Sequence, residues 1–353
     1  MKIIVACGGT GGHAFPGLAV AEELRSRGHE VTVWDSGRDI ESSVMKRWDG
    51  DIFSTGARQL HPKNALAILR SILRCRGEMK KAKPDALLAM GSYSSLPPVL
   101  AARWCKVPVF LHEANTVPGK AVDFLSRFAK TVAISFDMTA KCLPLVKTVK
   151  TGLPVRNEIA SGTRFDFIPE NAFVVFVTGG SQGAHAVNEL MMDALVMFDK
   201  EIKSRAGARP LYIIHQTGAK DEGRVMATYA QAVIPSRVHA FETKMADAFA
   251  SADIVVARAG ASTCFELAAC GKPAFLIPLP TAMRDHQHFN ADAFVSAGAA
   301  DEGVQAKLTS SQICRYLVDK YEHPEKLAVM GEKMRSLATP GAAKAVADLV
   351  EGL

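Results

Sequence analysis

The chain has 353 residues, 48% hydrophobic and 22% charged, an ordinary globular composition with apolar mass for two cores of about 170 residues each rather than one small domain. No run of about 18 uncharged apolar residues occurs and the N-terminus enters a strand pattern with no basic leader, so neither a membrane span nor an export signal is expected. The seven cysteines (Cys7, Cys75, Cys105, Cys142, Cys264, Cys270, Cys314) are scattered without a CxxC pair, which argues against a disulfide framework or a zinc site and for a reducing cytoplasm.

The first element is the β-branched run Ile3-Ile4-Val5, and the glycine-rich turn CGGTGGHA follows it and opens a helix-like pattern. Apolar runs at 2–7, 30–35, 85–90, 107–111, 131–135 and 146–150 alternate with amphipathic stretches, the βαβ rhythm of a parallel sheet. Residues 151–171, rich in Gly, Pro and polar side chains, read as a linker. The rhythm restarts at 172–178 with a second turn of the same design, VTGGSQGAH, and continues at 210–215, 236–240, 253–257 and 274–278. The tail from Pro340 is Ala-rich and helical in pattern. Glycine lets a backbone approach an anion closely and a helix N-terminus favours negative charge there, so the paired turns predict two nucleotide-binding-type domains facing one cleft.

The net charge of +6 is concentrated: residues 58–84 carry eight Lys or Arg against the single acid Glu78, a local +7. Ala65, Leu66, Ile68, Leu69, Ile72 and Leu73 recur there at helical spacing, with Arg70, Arg74, Arg76, Lys80 and Lys81 on the other faces. One reading is a surface helix whose apolar stripe faces its own core; the other is a membrane-surface element, basic side chains on anionic headgroups with Leu and Ile dipping below them. Interleaved aromatics and nucleic-acid modules are missing, so no nucleic-acid partner is expected.

The first turn also fits G-x-G-x-x-A from Gly9 to Ala14, with Asp35 ending the next strand, a weak dinucleotide fingerprint that leaves His13, Pro16 and the second turn unused. His13, at the junction of turn and helix, is the best candidate for a general base, although a helix N-terminus weakens it by disfavouring the imidazolium. Arg258 to Glu266 directly follows the strand Ile254-Val255-Val256 and forms another cradle for an anion, with Glu266 placed to accept ribose hydroxyls. The polar side chains of Asp285-His286-Gln287-His288-Phe289-Asn290 suit sugar hydroxyls, and the i, i+2 spacing of the two histidines without a third ligand argues against zinc.

Taken together, GGTGGHAFPGLAVAEEL, HEAN (112–115), GLPVR (152–156), GGSQGA (179–184), HQTG (215–218), RAGASTCFE (258–266) and DHQHFNA (285–291) resemble the MurG family in order and spacing over essentially the whole chain. That family transfers N-acetylglucosamine from its UDP derivative to lipid-linked N-acetylmuramyl-pentapeptide in peptidoglycan synthesis. The resemblance implies an α/β fold of two Rossmann-like domains separated by a deep cleft, the GT-B architecture. Residues 1–157, with 338–353 packing back, would meet the acceptor; residues 158–337 would bind UDP-N-acetylglucosamine.

Carried over residue by residue, the resemblance implies Ser181 and Gln182 at the donor diphosphate and sugar, Arg156 near the donor, and the Glu242 backbone at uracil. Ala261, Ser262 and Thr263 would line the diphosphate, Glu266 the ribose, and His286 and Gln287 the sugar; Thr10, Gly11, Gly12 and Asn115 are further donor contacts. Gly11, Gly12 and His13 would cradle the lipid pyrophosphate, with Tyr93 and Asn115 on the acceptor side, and His13 and Glu113 are the implied catalytic pair. The implied reaction is an inverting β-1,4 transfer with UDP leaving, stabilised by backbone N–H groups and Arg156 or Arg258, with no metal and no cofactor. The implied partners are UDP-N-acetylglucosamine, undecaprenyl-pyrophosphoryl-MurNAc-pentapeptide (lipid I), other proteins of cell-wall synthesis, and anionic lipids of the cytoplasmic leaflet, met peripherally by Leu66, Leu69, Arg70, Ile72, Leu73 and Arg74. Two positions depart from the family pattern: Leu153 stands where asparagine is common, and Ser92 replaces a usual glycine, adding a Cβ in a tight loop. A diacylglycerol glycosyltransferase and a non-catalytic nucleotide-sugar-binding protein are the alternatives.

Overall fold

The computed structural model describes residues 1–9, 11–38, 44–180 and 182–352. The chain divides into two compact units, Met1–Arg156 with Thr339–Leu353, and Asn157–Ala338.

In the first unit, β1 (Lys2–Ala6), α1 (Gly11–Ser26), β2 (Glu30–Asp35), β3 (Ile52–Ser54), α2 (Ala65–Ala82), β4 (Ala86–Ala89), α3 (Leu96–Cys105), β5 (Val109–Glu113), α4 (Lys120–Leu125), β6 (Thr131–Ile134), α5 (Asp137–Cys142) and β7 (Thr148–Lys150) follow one another. The strands form one parallel sheet in the order β3-β2-β1-β4-β5-β6-β7. The short β3 lay outside the apolar runs of the sequence because only Ile52 and Phe53 are apolar in it.

In the second unit, β8 (Phe173–Thr178), α6 (His185–Lys203), β9 (Leu211–Gln216), α7 (Glu222–Gln231), β10 (Ser236–His239), α8 (Met245–Ser251), β11 (Ile254–Ala257), α9 (Ala261–Cys270), β12 (Ala274–Leu276), α10 (His286–Val295), β13 (Ala300–Glu302), α11 (Ser310–Glu322) and α12 (Pro324–Ser336) repeat the plan. The sheet order is β10-β9-β8-β11-β12-β13, again all parallel. Both sheets reverse their winding between the first strand and its later neighbour, β1 beside β4 and β8 beside β11. Ligands of doubly wound sheets bind at the carboxyl ends of the strands at such a reversal. Both faces of each sheet are covered, which is why β8 reads FVVFVT and is buried at all six residues.

The last helix, α13 (Ala342–Glu351), lies in the first unit and packs against α1. Val346, Ala347 and Val350 join the core formed by Ile3, Val5, Leu18 and Leu24. At the surface Arg27 reaches Asp348 and Glu351, both at 2.6 Å, and His29 meets Glu351 at 2.6 Å.

Residues 151–171 are not a loose linker. The unit boundary falls at 156/157, and the remainder is built into the second unit by the buried Ile159, Phe165 and Ile168. The Arg164 guanidinium donates to the carbonyls of Ser251 and Pro169, both at 2.9 Å. Leu153, where the family pattern has asparagine, is fully buried.

The amphipathic reading of α2 also needs correction, because its apolar residues do not share one face. Ser71, Cys75 and Met79 are its buried residues, Ile68 packs partly against the core, and Ile72 is half-buried. Leu66, Leu69 and Leu73 are 59%, 50% and 47% exposed, between the exposed Arg70 and Arg74. The inner face is made of Ile68, Ser71, Cys75 and Met79, and Leu66, Leu69 and Leu73 lie outside it.

Candidate active site

In the first unit the site begins at the turn after β1. The Gly8 carbonyl accepts a hydrogen bond from Ser94 Oγ at 2.5 Å, and Gly9, at φ +121°, takes a conformation that favours glycine. A Cβ on Gly9 would lie 2.5 Å from Ser92 Oγ, so the turn after β4 presses directly on the turn after β1. Gly11, Gly12 and His13 form the first turn of α1. Thr10 lies outside the described residues.

The turn after β4 brings in Tyr93, whose hydroxyl accepts from Arg38 Nη1 at 2.9 Å. Gly91 is the joint between this turn and the HEAN segment: a Cβ there would meet the His112 carbonyl at 3.4 Å and His13 Cδ2 at 3.6 Å. His13, Tyr93, Glu113 and Asn115 are thus drawn together around the carboxyl ends of β1, β4 and β5.

Glu113 is buried, and its carboxylate is committed to its own loop. Oε1 accepts from the Asn115 backbone N–H at 2.9 Å and from Asn115 Nδ2 at 3.1 Å, and Oε2 accepts from the Gly119 N–H at 3.0 Å. Burial pushes the carboxyl above the usual carboxylate range, against the pull of these donors. Through these bonds Glu113 shapes the 113–119 loop and holds Asn115, whose carbonyl accepts from Thr139 Oγ1 at 3.0 Å.

Next to it, His112 donates from Nε2 to the Gly152 carbonyl at 3.1 Å, which anchors the segment leading to Arg156. Its Nδ1 is buried without a hydrogen-bond partner among the described residues. Burial lowers this histidine to about 4. The Arg156 guanidinium lies 4.4 Å from the centre of the Phe15 ring.

In the second unit the turn after β8 runs from Gly179 to Ala184; Ser181 lies outside the described residues and Gln182 is exposed. A Cβ on Gly183, at φ +71°, would overlap the Thr217 carbonyl at 2.1 Å, so only glycine lets the turn lie against the end of β9. Gln216, whose role the sequence did not suggest, stitches these parts together. Its Nε2 donates to the Gly180 carbonyl at 2.8 Å and Thr178 Oγ1 at 3.2 Å, and its Oε1 accepts the Glu242 N–H at 3.0 Å. The Glu242 N–H is therefore engaged inside the protein. The Glu242 side chain pairs with Arg237 at 2.7 Å.

The second cradle of this unit is the N-terminus of α9, capped by Gly260 after β11. Ala261 is buried, while Ser262, Thr263 and Glu266 are half-buried along the helix. Asn290, which the sequence groups with the side chains suited to sugar hydroxyls, is fully buried and donates to the Ala259 carbonyl at 3.1 Å, tying α10 to this turn. Gln287 accepts the Leu279 N–H at 3.0 Å, and His286 Nδ1 donates to the Met283 carbonyl at 2.8 Å.

Arg258, the alternative to Arg156 at the leaving diphosphate, follows β11 directly. Its guanidinium is buried and donates to the carbonyls of Ile277 (3.1 Å) and Pro278 (3.2 Å) and to Gln305 Oε1 (2.7 Å). It braces the end of β12. Among the described residues no three His, Cys, Asp or Glu side chains are grouped to hold a metal ion.

Two doubly wound units, each carrying a glycine turn at its winding reversal, give the chain GT-B architecture, and the family matches place it among the glycosyltransferases of that class. The glycosyltransferase family 28 N-terminal domain matches residues 3–134 and the glycosyltransferase family 28 C-terminal domain matches residues 174–351. A protein of Geobacter metallireducens named UDP-N-acetylglucosamine–N-acetylmuramyl-(pentapeptide) pyrophosphoryl-undecaprenol N-acetylglucosamine transferase is 36% identical, over 99% of this chain and 97% of its own. A Geotalea uraniireducens protein of the same name is 37% identical with the same coverage. The crystal structure of Acinetobacter baumannii MurG superposes with a TM-score of 0.78 at 30% identity, covering 100% of this chain and 99% of that one. A Neisseria meningitidis UDP-GlcNAc 2-epimerase, at TM-score 0.74 and 14% identity, shares the fold alone. The chain belongs to glycosyltransferase family 28 and, within it, to the MurG family.

Proposed function

We propose that the chain transfers N-acetylglucosamine from UDP-N-acetylglucosamine to the C4 hydroxyl of the muramyl sugar of lipid I, forming the β-1,4 bond of lipid II with inversion. The observation that carries this reading is the match to transferases of that name along nearly the full length of both chains. In the second unit the α9 N-terminus and its Ser262 and Thr263 hydroxyls receive the donor diphosphate, Glu266 takes the ribose, and His286 and Gln287 read the sugar. Arg156 adds charge to the leaving UDP. Helix N-terminal N–H groups and a guanidinium stabilise a departing diphosphate without a metal, and we propose neither a metal nor a cofactor. In the first unit the Gly11-Gly12 turn holds the lipid pyrophosphate and His13 takes the proton from the attacking hydroxyl.

The acceptor is lipid-borne, and no helix among the described residues is long and apolar enough to cross a membrane. The exposed Leu66, Leu69 and Leu73 among Arg70 and Arg74 support peripheral contact with anionic lipids of the cytoplasmic leaflet. Incubation of the purified chain with UDP-N-acetylglucosamine and a short-chain lipid I analogue tests the reading. A β-1,4-linked disaccharide product is expected; glycosylation of diacylglycerol instead, or donor binding without transfer, overturns it.

A further inference from the structure

We infer that Gln216 is a positioning residue for the donor: its buried amide fixes the second glycine turn and the Glu242 segment in one register, so that a uridine diphosphate meets both ready-made. The inference rests on the reading above that the second unit binds UDP-N-acetylglucosamine, with the turn at the diphosphate and the Glu242 segment at uracil as the family resemblance implies. Every residue it uses lies in that unit. Gln216 closes β9 and is 1% exposed. Its Nε2 donates to the Gly180 carbonyl at 2.8 Å and to Thr178 Oγ1 at 3.2 Å, and its Oε1 accepts the Glu242 N–H at 3.0 Å. The Gly180 carbonyl also accepts the Gly183 N–H at 2.9 Å, and the Gly180 N–H donates to Thr178 Oγ1 at 3.1 Å. Glu242 is held from its other end, where Arg237 meets both carboxylate oxygens at 2.7 and 3.0 Å.

A side chain that only filled the core would have no use for this polar tip. The strands are already joined by backbone pairing, Thr178 with Gln216 and Gln216 with His239, so the ladder does not need the amide. Its bonds run past the strand ends to two loops instead. Burying an amide costs free energy unless its bonds are made, and a carbonyl and an N–H are satisfied together only by a tip that carries both an acceptor and a donor. A cradle for a diphosphate offers N–H groups and turns its carbonyls away, because their oxygens repel negative charge. Gln216 and Gly183 together hold the Gly180 carbonyl inward. With the turn and Glu242 fixed beforehand, less ordering remains to oppose binding.

The test compares the full-length parent with Gln216→Leu and Gln216→Met. UDP affinity is read by calorimetry, uridine affinity by competition, and KM and kcat in the transfer assay. Gln216→Leu should weaken UDP binding roughly ten- to hundredfold but uridine binding about threefold or less, because only UDP spans both of the segments that the amide aligns. KM for UDP-N-acetylglucosamine should rise in step, with kcat within about threefold of the parent's. If Gln216→Leu fails to fold, Gln216→Met is read in the same way. Equal losses for uridine and UDP, or parental UDP affinity, overturn the inference while leaving the donor site in place. Failure of both variants to fold also overturns it, by assigning Gln216 to the fold alone. A parent chain without affinity for UDP removes the donor reading and the inference together.

Discussion

Ser92 Oγ lies against Gly9, close enough that a Cβ on Gly9 would come within 2.5 Å of it. Ser92 itself holds φ 68° and ψ 166°, a region populated almost wholly by glycine. Such a conformation costs a non-glycine residue about 1–3 kcal/mol. Replacing Ser92 by glycine removes that strain but restores about 0.5–1 kcal/mol of freedom to the unfolded chain. The net expectation for Ser92→Gly is a gain of about 1 kcal/mol, or roughly 2–4 °C in the melting transition of the first unit. Differential scanning calorimetry checks this, and a lowered transition would show that the serine is not strained.

His13→Ala should lower kcat by about 10²- to 10⁴-fold, the usual range for removing a general base. Because the proposed UDP site is built from the second unit and Arg156, UDP affinity by calorimetry should stay near the parental value. Parental turnover in this variant would take His13 out of the mechanism.

Two buried histidines make the fold sensitive to acid. Burial lowers His112 to about 4 and His215 to about 3, from an ordinary value of 6.5. In the unfolded chain these imidazoles take up protons near pH 6.5, whereas in the fold they stay neutral until much lower pH, so the unfolded state binds more protons in between. The stability associated with neutral His112 is therefore complete above about pH 6.5 and is lost as the pH falls towards 4. Its full size is on the order of 3 kcal/mol. Glu113 works in the opposite sense, because a raised carboxyl favours the fold at low pH. Comparing His112→Gln with the parent separates the two. Denaturant midpoints between pH 7 and pH 4 should fall less steeply in the variant, and parallel profiles would rule the histidine out as the source.

The outer face of α2 should bind anionic vesicles through both charge and apolar contact. Each basic residue near such a surface is worth about 1 kcal/mol, so Arg70→Gln with Arg74→Gln should weaken binding roughly thirtyfold, with the deficit shrinking at high salt. Exchanging Leu66, Leu69 and Leu73 for asparagine should cause a loss that persists in salt. Sedimentation with vesicles containing or lacking anionic lipid measures both, and equal binding of all variants would assign the face another role.

Most of the architecture was legible because its signals are local. The β-branched runs, the glycine turns and the small residues opening α9 each state their conformation within a few residues, and the strands other than β3 and β13 fall where the apolar runs lie. The placement of the candidate residues was legible for the same reason, since His13, Ser262, Thr263 and Glu266 lie in helices opened by the turns that precede them. What misled was the fate of individual side chains. Arg258 has the chemistry of a diphosphate ligand but is consumed by carbonyls 19 and 20 residues away. Gln216 looked like part of a motif without a function until its bonds to Gly180 and to Glu242, 26 residues on, gave it one.

Residue order alone therefore dictated two α/β units with turns of glycine and small residues opening helices after their strands, because glycine, small residues and strand periodicity act over a few bonds. It could not dictate which polar groups those turns keep for a substrate and which they use up on themselves. Nor could it say that Leu66, Leu69 and Leu73 face outward while Ile68 packs inward on the same helix. Burial and hydrogen-bond partners are set by segments distant in the chain, and they become defined when the sheets assemble and bring those segments into contact.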